Sequence, residues 1–212
     1  MKMNLFAVPL FTLSITFGLQ SFAQTPPNAS ISDVQLAGNG CNGSSAAVTI
    51  SPDLMDLSVL FDNYSAEIGN GTKKPNSRQD RAICNLKLKM SIPPGWQYAF
   101  KSVDYRGFVN LPSQTVATHR LTFLTSGQPI PSLRDANHEG PKVENYTMSF
   151  NMKPSRYVWS PCGVTQHPIN INSDLSIQYH LKKTNHEQAQ ILVDSADFSA
   201  RQSIGLIWRR CG

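Results

Sequence analysis

Asn85-Leu-Lys-Leu-Lys-Met90, then Ser91-Ile-Pro-Pro-Gly95, then Trp96-Gln-Tyr-Ala-Phe-Lys101 is the stretch on which the fold turns. Leu86, Leu88 and Met90 alternate with Asn85, Lys87 and Lys89, and Trp96, Tyr98 and Phe100 alternate with Gln97 and Lys101. Successive side chains of a strand point to opposite faces, so apolar residues at every second position mark half-buried strands. Proline has no N–H to give to a ladder, so Pro93-Pro94-Gly95 must turn the chain between the two. Working outward, the same period recurs in His119-Leu121-Phe123, in Ile177-Tyr179-Leu181 and in Ile204-Leu206-Trp208. Val48 to Ile50, Leu57 to Phe61 and Tyr146 to Phe150 are further strands by the same reading. Asn39-Gly40, Asn70-Gly71 and Ser126-Gly127 are turn dipeptides. No capped amphipathic run of ten residues occurs; Gln188 to Val193 is at most a turn of helix. Many short strands with turn-rich joins predict an all-β, antiparallel β-sandwich, of which a jelly roll is one form. Two long polar segments, Asp62 to Asp80 and Ser126 to Lys142, read as surface loops, a length that is uncommon within a compact domain.

The N-terminus reads as an export signal. Lys2 precedes an uncharged apolar run from Leu5 to Leu19, and Ser21-Phe22-Ala23 places small residues where a signal peptidase reads them. Cleavage is expected after Ala23, so residues 1–23 are a signal peptide, 24–33 a flexible leader and 34–212 a single β-sandwich domain. The apolar run is shorter than the roughly 20 residues of a spanning helix, and no second long run follows, so no transmembrane segment is expected after cleavage. Four cysteines, Cys41, Cys84, Cys162 and Cys211, form an even set without a C-x-x-C pair. In an exported chain this argues for disulfides over zinc. Of the three possible pairings the non-interleaved one, Cys41–Cys84 and Cys162–Cys211, staples each half of the chain and is the one expected. The protein is thus expected to be secreted, to the extracellular space or a periplasm. The formal net charge of +5, one unit of it from Lys2, favours acidic surfaces. Without a Lys/Arg stripe or a recognition motif it is no nucleic-acid footprint.

The marks along the chain fall in a particular order: Gly38-Asn-Gly-Cys41; Arg81-Ala-Ile-Cys84 leading into Leu86-Lys-Leu88; Pro93-Pro-Gly95-Trp96; Asp104-Tyr-Arg-Gly107; Ser160-Pro-Cys162-Gly163; Ile169-Asn-Ile-Asn172; and Leu206-Ile-Trp-Arg-Arg-Cys211. This order resembles the secreted family known as domain of unknown function 4360, from about Val34 to Cys211. The resemblance implies an exported, cysteine-bonded β domain and no particular activity.

The catalytic classes leave little trace. There is no Gly-x-Ser-x-Gly or Ser-x-x-Lys for a serine nucleophile, paired cysteines are not nucleophiles, and His138-Glu139 and His186-Glu187 lack the second histidine of a zinc protease helix. Asp53 with Asp56, or Asp194 with Asp197, falls short of a calcium loop. No metal and no cofactor is expected. A glycoside hydrolase would need two converging carboxylates, with Asp104, Glu139, Glu144, Asp194 and Asp197 as candidates and nothing in the sequence to bring two together. Binding is the more natural use of such a sandwich, because exposed rings stack on sugars and anchor proteins. Trp96 and Trp208 lie in alternating strands and are assigned to the core. Tyr105, Arg106, Tyr157 and Trp159 are the expected binding residues, and Arg78, Asp80, Arg81 and Arg106 are expected to form a polar patch near Cys84. The expectation is a non-catalytic exported domain that binds envelope or extracellular carbohydrate or protein. The alternatives are a secreted glycoside-type hydrolase and a structural or secretion-associated surface protein.

Overall fold

A computed structural model describes residue 26 and residues 28–125, 128–130, 135–180, 187–193 and 201–212. The expected signal peptide lies outside these residues. In chain order the strands are β1 (Ser30–Ala37), β2 (Ala46–Ile50), β3 (Asp56–Phe61), β4 (Tyr64–Ile68), β5 (Gln79–Ser91), β6 (Trp96–Leu111), β7 (Thr115–Thr125), β8 (Gln128–Pro129), β9 (Ala136–Glu139), β10 (Lys142–Asn151), β11 (Gln166–Tyr179), β12 (Ala189–Val193) and β13 (Arg201–Arg210). One short 3-10 turn, Pro154–Arg156, precedes β11.

The strands form two sheets, and every pairing is antiparallel. The first runs β1-β5-β11-β7, with β8 and β9 taking successive stretches of the far edge of β7. The second is built on the 16-residue β6. Along one side of it β10 pairs with residues 102–111. Along the other, β13 pairs with residues 96–105 and β12 with residues 108–110, and each carries its own neighbour, β3 with β2 beyond β13 and β4 beyond β12. The alternating strands therefore read correctly as a sandwich, and both disulfides join the expected partners, Cys41–Cys84 and Cys162–Cys211. β5 and β6 lie in different sheets, so the Pro93-Pro94-Gly95 turn, with Gly95 at φ +79°, is a corner between layers.

The core fills the space between the layers. Tyr98 meets Phe100, Trp208 and, across the sandwich, His167, while Phe100 reaches Phe123 of the first sheet at 5.9 Å between ring centroids. Such pairs are each worth about 0.5–1.5 kcal/mol beyond the area they bury. Where β6 and β10 pair Gly107 with Tyr146, the ring lies over the bare glycine backbone. A Cβ on Gly107 would stand 2.5 Å from the Tyr146 hydroxyl oxygen and 2.4 Å from the Leu192 carbonyl oxygen.

Several boundaries differ from the sequence reading. Residues 30–33, expected in the leader, begin β1 and pair with the end of β5. Gln188 to Val193, read as a turn of helix, is mostly β12: Ala189, Ile191 and Val193 are buried on alternate positions, and strands flank it on both sides. The long polar segments contain β4 in the first, and β8 and β9 in the second. Their strands are too short and too polar to announce themselves.

Candidate functional site

A large open concavity lies at one end of the sandwich, beside the Cys41–Cys84 bond. It holds about 720 Å3. Its walls come from four places: the 38–45 connection between β1 and β2, the β3–β4 corner with β4 itself, Lys73 and Lys74 of the β4–β5 connection, and the first residues of β5. The sequence builds each wall locally. Asn39 stands in for a strand edge, its Nδ2 donating to the Arg81 carbonyl at 2.6 Å and its Oδ1 accepting from the Ile83 N–H at 2.7 Å. Asn42 closes an Asx turn, its Oδ1 accepting from the Ser44 N–H at 3.0 Å and the Ser44 hydroxyl at 2.7 Å. Asn63 takes φ +58° at the corner between β3 and β4, a left-handed conformation that asparagine tolerates better than most residues.

The lining is hydrogen-bonding almost throughout. Asp62, Asn63, Ser65 and Glu67 face Asn42, Ser44, Lys73, Lys74 and Asp80. Asp80 forms the ridge. It pairs with the Lys74 ammonium and accepts from the backbone N–H groups of Glu67 at 3.0 Å and Arg81 at 2.7 Å. Burial pushes its carboxyl up, but the hydrogen bonds from Lys74, Glu67 and Arg81 outweigh that and hold it below the usual carboxylate range. Beyond the ridge a second groove of about 560 Å3 shares Lys74, Asp80 and Arg81 and runs onto the outer face of the first sheet, past Gln79, Thr118, Ser176 and Gln178. Arg81 is fixed there by a two-pronged pair with Asp174, and Arg120 by one with Asp135. The two grooves form a polar trough that bends round the edge of the sandwich.

The expected binding residues do not converge. Tyr105 corrects the reading: it is fully buried, with its ring 4.5 Å from that of His119, and burial pushes its hydroxyl up to about 12. The reason is a bulge. Leu206 pairs with Phe100 and Gly205 with Ser102, so Lys101 is an extra residue in β6. Trp96, Tyr98 and Phe100 point inward before it, and Val103, Tyr105 and Val109 after it. Arg106, one step on, is exposed on the outer face opposite Thr147. Tyr157 and Trp159 are half-buried at the other end of β6, their rings edge to face at 6.0 Å. Nine residues of strand, about 30 Å, separate Arg106 from Gln97 beside them. Arg78 closes the end of the first sheet instead of lining the trough, donating from Nε to the Tyr179 carbonyl at 2.9 Å and from Nη2 to that of His180 at 2.8 Å.

The hydrolase candidates fall on three strands. Asp104 lies on β6, Glu139 ends β9, and Glu144 on β10 is near Lys142 and His138; Asp194 and Asp197 fall outside the described residues. Among the described residues no three His, Cys, Asp or Glu side chains cluster closely enough to hold a metal ion, and no helix is long and apolar enough to cross a membrane. One serine and one histidine do meet: His119 Nε2 lies 3.0 Å from Ser173 Oγ, and its Nδ1 3.0 Å from the Tyr146 hydroxyl. Gln202 joins them by donating to Ser173 Oγ at 3.0 Å. These groups are buried between the sheets, closed to any substrate, and the cluster is a polar tie across the core.

What the sequence reading missed are Asp62, Glu67, Lys73 and Lys74. They lay in a segment read as one loop, and β4 is what lines up Ser65 and Glu67 along the wall. A signal was present: the marks Gly38-Asn-Gly-Cys41 and Arg81-Ala-Ile-Cys84 are brought together by the first disulfide, and they floor this trough.

The sequence profile of the family described as "Domain of unknown function (DUF4360)" matches residues 27–211. A protein of Arthroderma benhamiae described as an uncharacterized secreted protein is 31% identical over 190 residues, covering 89% of this chain and 74% of the relative. Among solved structures, the GH31 alpha-xylosidase from Xanthomonas citri aligns at 10% identity with a TM-score of 0.21 over 86% of this chain, which spans 19% of that enzyme. So low a score carries no argument.

Proposed function

This chain belongs to the DUF4360 family, and we propose that it is an exported, non-catalytic domain that binds a hydroxyl-rich ligand, an envelope or extracellular carbohydrate, in the polar trough beside Cys41–Cys84. The protein is secreted: its relative is a secreted protein, and both of its cysteine pairs are closed. Residues 1–23 are the signal that directs it there.

The observation that carries this reading is the lining of the trough. A saccharide presents hydroxyl groups that both donate and accept, and it is held by amides, hydroxyls, carboxylates and ammonium groups fixed in place. Asn42, Ser44, Asp62, Glu67 and Lys73 supply these functions around the trough. Several are pre-ordered by the turns and strand pairing described above, which lowers the entropy lost on binding. The length of the trough, continued past Asp80 and Arg81, suits a chain of sugars better than a single small molecule. Glycoside cleavage would need a carboxyl kept protonated near neutral pH. Asp80 is displaced in the opposite direction and is not such an acid.

The test is retention of oxidised residues 24–212 on insoluble cell-wall polysaccharides, with competition by soluble oligosaccharides. The wild type is expected to be retained and eluted by one sugar class. Asp62→Ala with Lys73→Ala is expected to weaken retention about tenfold, the equivalent of about 1.4 kcal/mol, with an unchanged melting temperature. Wild type that is retained by no polysaccharide, or a double variant that binds as well as wild type, contradicts the proposal.

A further inference from the structure

The opposite end of the sandwich carries a different surface. Arg209, near the end of β13, lays its guanidinium over the Trp159 ring, 3.9 Å from the centroid. Its Nε donates to Gln97 Oε1 at 3.0 Å. Gln97 is itself buried and held from behind, its Nε2 donating to the carbonyl of the buried Ser160, whose Oγ accepts from the Tyr98 N–H at 3.1 Å. This relay fixes the guanidinium plane and spends Nε inward, leaving the two Nη groups as an oriented fork at an exposed position. Arg210 stacks on Trp96 at 4.3 Å from the centroid. Tyr157 stands edge-on to Trp159, and just before it come Arg156 and Lys153, both exposed, around the 3-10 turn. The Cys162–Cys211 bond clamps the two segments together behind these groups.

Arg209 thus lies over Trp159 on the outer face, with Lys153 and Arg156 just before Tyr157 in the chain, while Arg210, the next residue of β13, lies over the buried Trp96 on the other face. Among the described residues none of the four, Lys153, Arg156, Arg209 and Arg210, forms an ion pair, although Arg81, Arg120, Lys74 and Lys89 each have a carboxylate. A surface arginine is ordinarily mobile, and fixing it costs side-chain entropy. Here two are fixed by aromatic stacking and one also by a buried amide, without an acid to neutralise them. Planar, oriented guanidinium forks match carboxylate and sulfate oxygens two at a time, and the half-exposed rings between them suit the apolar faces of sugar residues.

We propose that this end is a second binding surface, for an acidic polysaccharide, with Arg209 and Arg156 taking its anionic groups and Tyr157 and Trp159 its sugar rings. The surface is independent of the polar trough and does not rest on that reading.

The experiment measures binding of oxidised residues 24–212 to immobilised polygalacturonate and dextran sulfate, with neutral dextran and anionic phospholipid vesicles as comparison arms, at low and high salt. The expected result is saturable binding to at least one acidic polysaccharide and none to dextran. It should weaken as salt rises, since exposed charges are screened. Arg209→Gln with Arg156→Gln should reduce affinity at least tenfold, and Arg209→Lys, which keeps the charge and loses the fork, should fall between. Asp62→Ala with Lys73→Ala should bind the acidic polysaccharide as wild type does, which separates this site from the trough. Far-UV dichroism and thermal melts of each variant guard against misfolding, and if Arg209→Gln with Arg156→Gln does not fold, Arg156→Gln with Lys153→Gln takes its place. Failure of the wild type to bind either acidic polysaccharide, equal binding to dextran, binding to the vesicles alone, or an unaltered affinity in the folded double variant would overturn the proposal.

Discussion

At the scale of single residues, His119 carries the clearest consequence. It sits in the middle of the core, its two ring nitrogens facing Tyr146 and Ser173, with Tyr105 against its face. Desolvation, with the nearby His138 acting in the same direction, brings its pKa down to about 3. The unfolded chain, with an ordinary value near 6.5, binds a proton over the window in which the folded chain does not. His119 therefore leaves stability intact above pH 6.5 and erodes it as pH falls from 6.5 toward 3, by at most about 1.4 kcal/mol per pH unit. His138 and His167, both lowered mainly by burial, act with the same sign. Urea unfolding midpoints measured from pH 7 to pH 4 should fall, and His119→Gln, though less stable at pH 7, should show a shallower fall. An equal slope in wild type and variant would remove His119 from this role. A histidine in an alternating strand was legible in the sequence as inward-facing. Its partners come from β10, β11 and β13, and no local pattern could name them.

Among the elements, β6 shows both what the sequence gives away and what it hides. The alternation of Trp96, Tyr98 and Phe100 identifies the strand and its buried face. A single extra residue, Lys101, then reverses the phase, and Tyr105 passes from the face expected to meet solvent to the core. Nothing marks Lys101 as a bulge, since its side chain is tolerated anywhere on an outer face; only the register against β13 reveals it. The short strands β4, β9 and β12 were hidden for another reason: pairing on a neighbour's edge holds them, more than any propensity of their own. The cysteine pairs, by contrast, followed from chain order. Their surroundings differ, because Cys41 and Cys84 are both buried while Cys162 is exposed and Cys211 half-exposed. Access of the attacking thiolate governs reduction. Limited dithiothreitol followed by alkylation and peptide mapping should therefore label Cys162 and Cys211 first. Labelling of Cys41 and Cys84 first would contradict the burial argument. Each bond closes a loop whose entropy is worth up to about 4 kcal/mol, so loss of the outer bond should cost stability without unfolding β13, which is paired to both β3 and β6.

For the whole molecule, two layers tied by disulfides at opposite ends leave two exposed regions of unlike chemistry. One is a trough of amides, hydroxyls and paired charges; the other is a platform of stacked guanidinium groups and rings. The sequence made the second partly legible, because Tyr157 and Trp159 stand out in a polar, proline-bounded segment. It concealed the first, because the wall residues are ordinary Asn, Ser, Asp, Glu and Lys side chains that gain meaning only when the loop at 38–45, β4 and the start of β5 are brought together. On this proposal the trough is where the glycan is held. The measurement that tests it most directly is a 1H–15N titration of the oxidised protein with the oligosaccharide that competes best for polysaccharide retention. The account predicts saturable shifts concentrated in residues 39–45, 62–67 and 73–82; shifts confined to other parts of the molecule, or no shifts at saturating sugar, would contradict it.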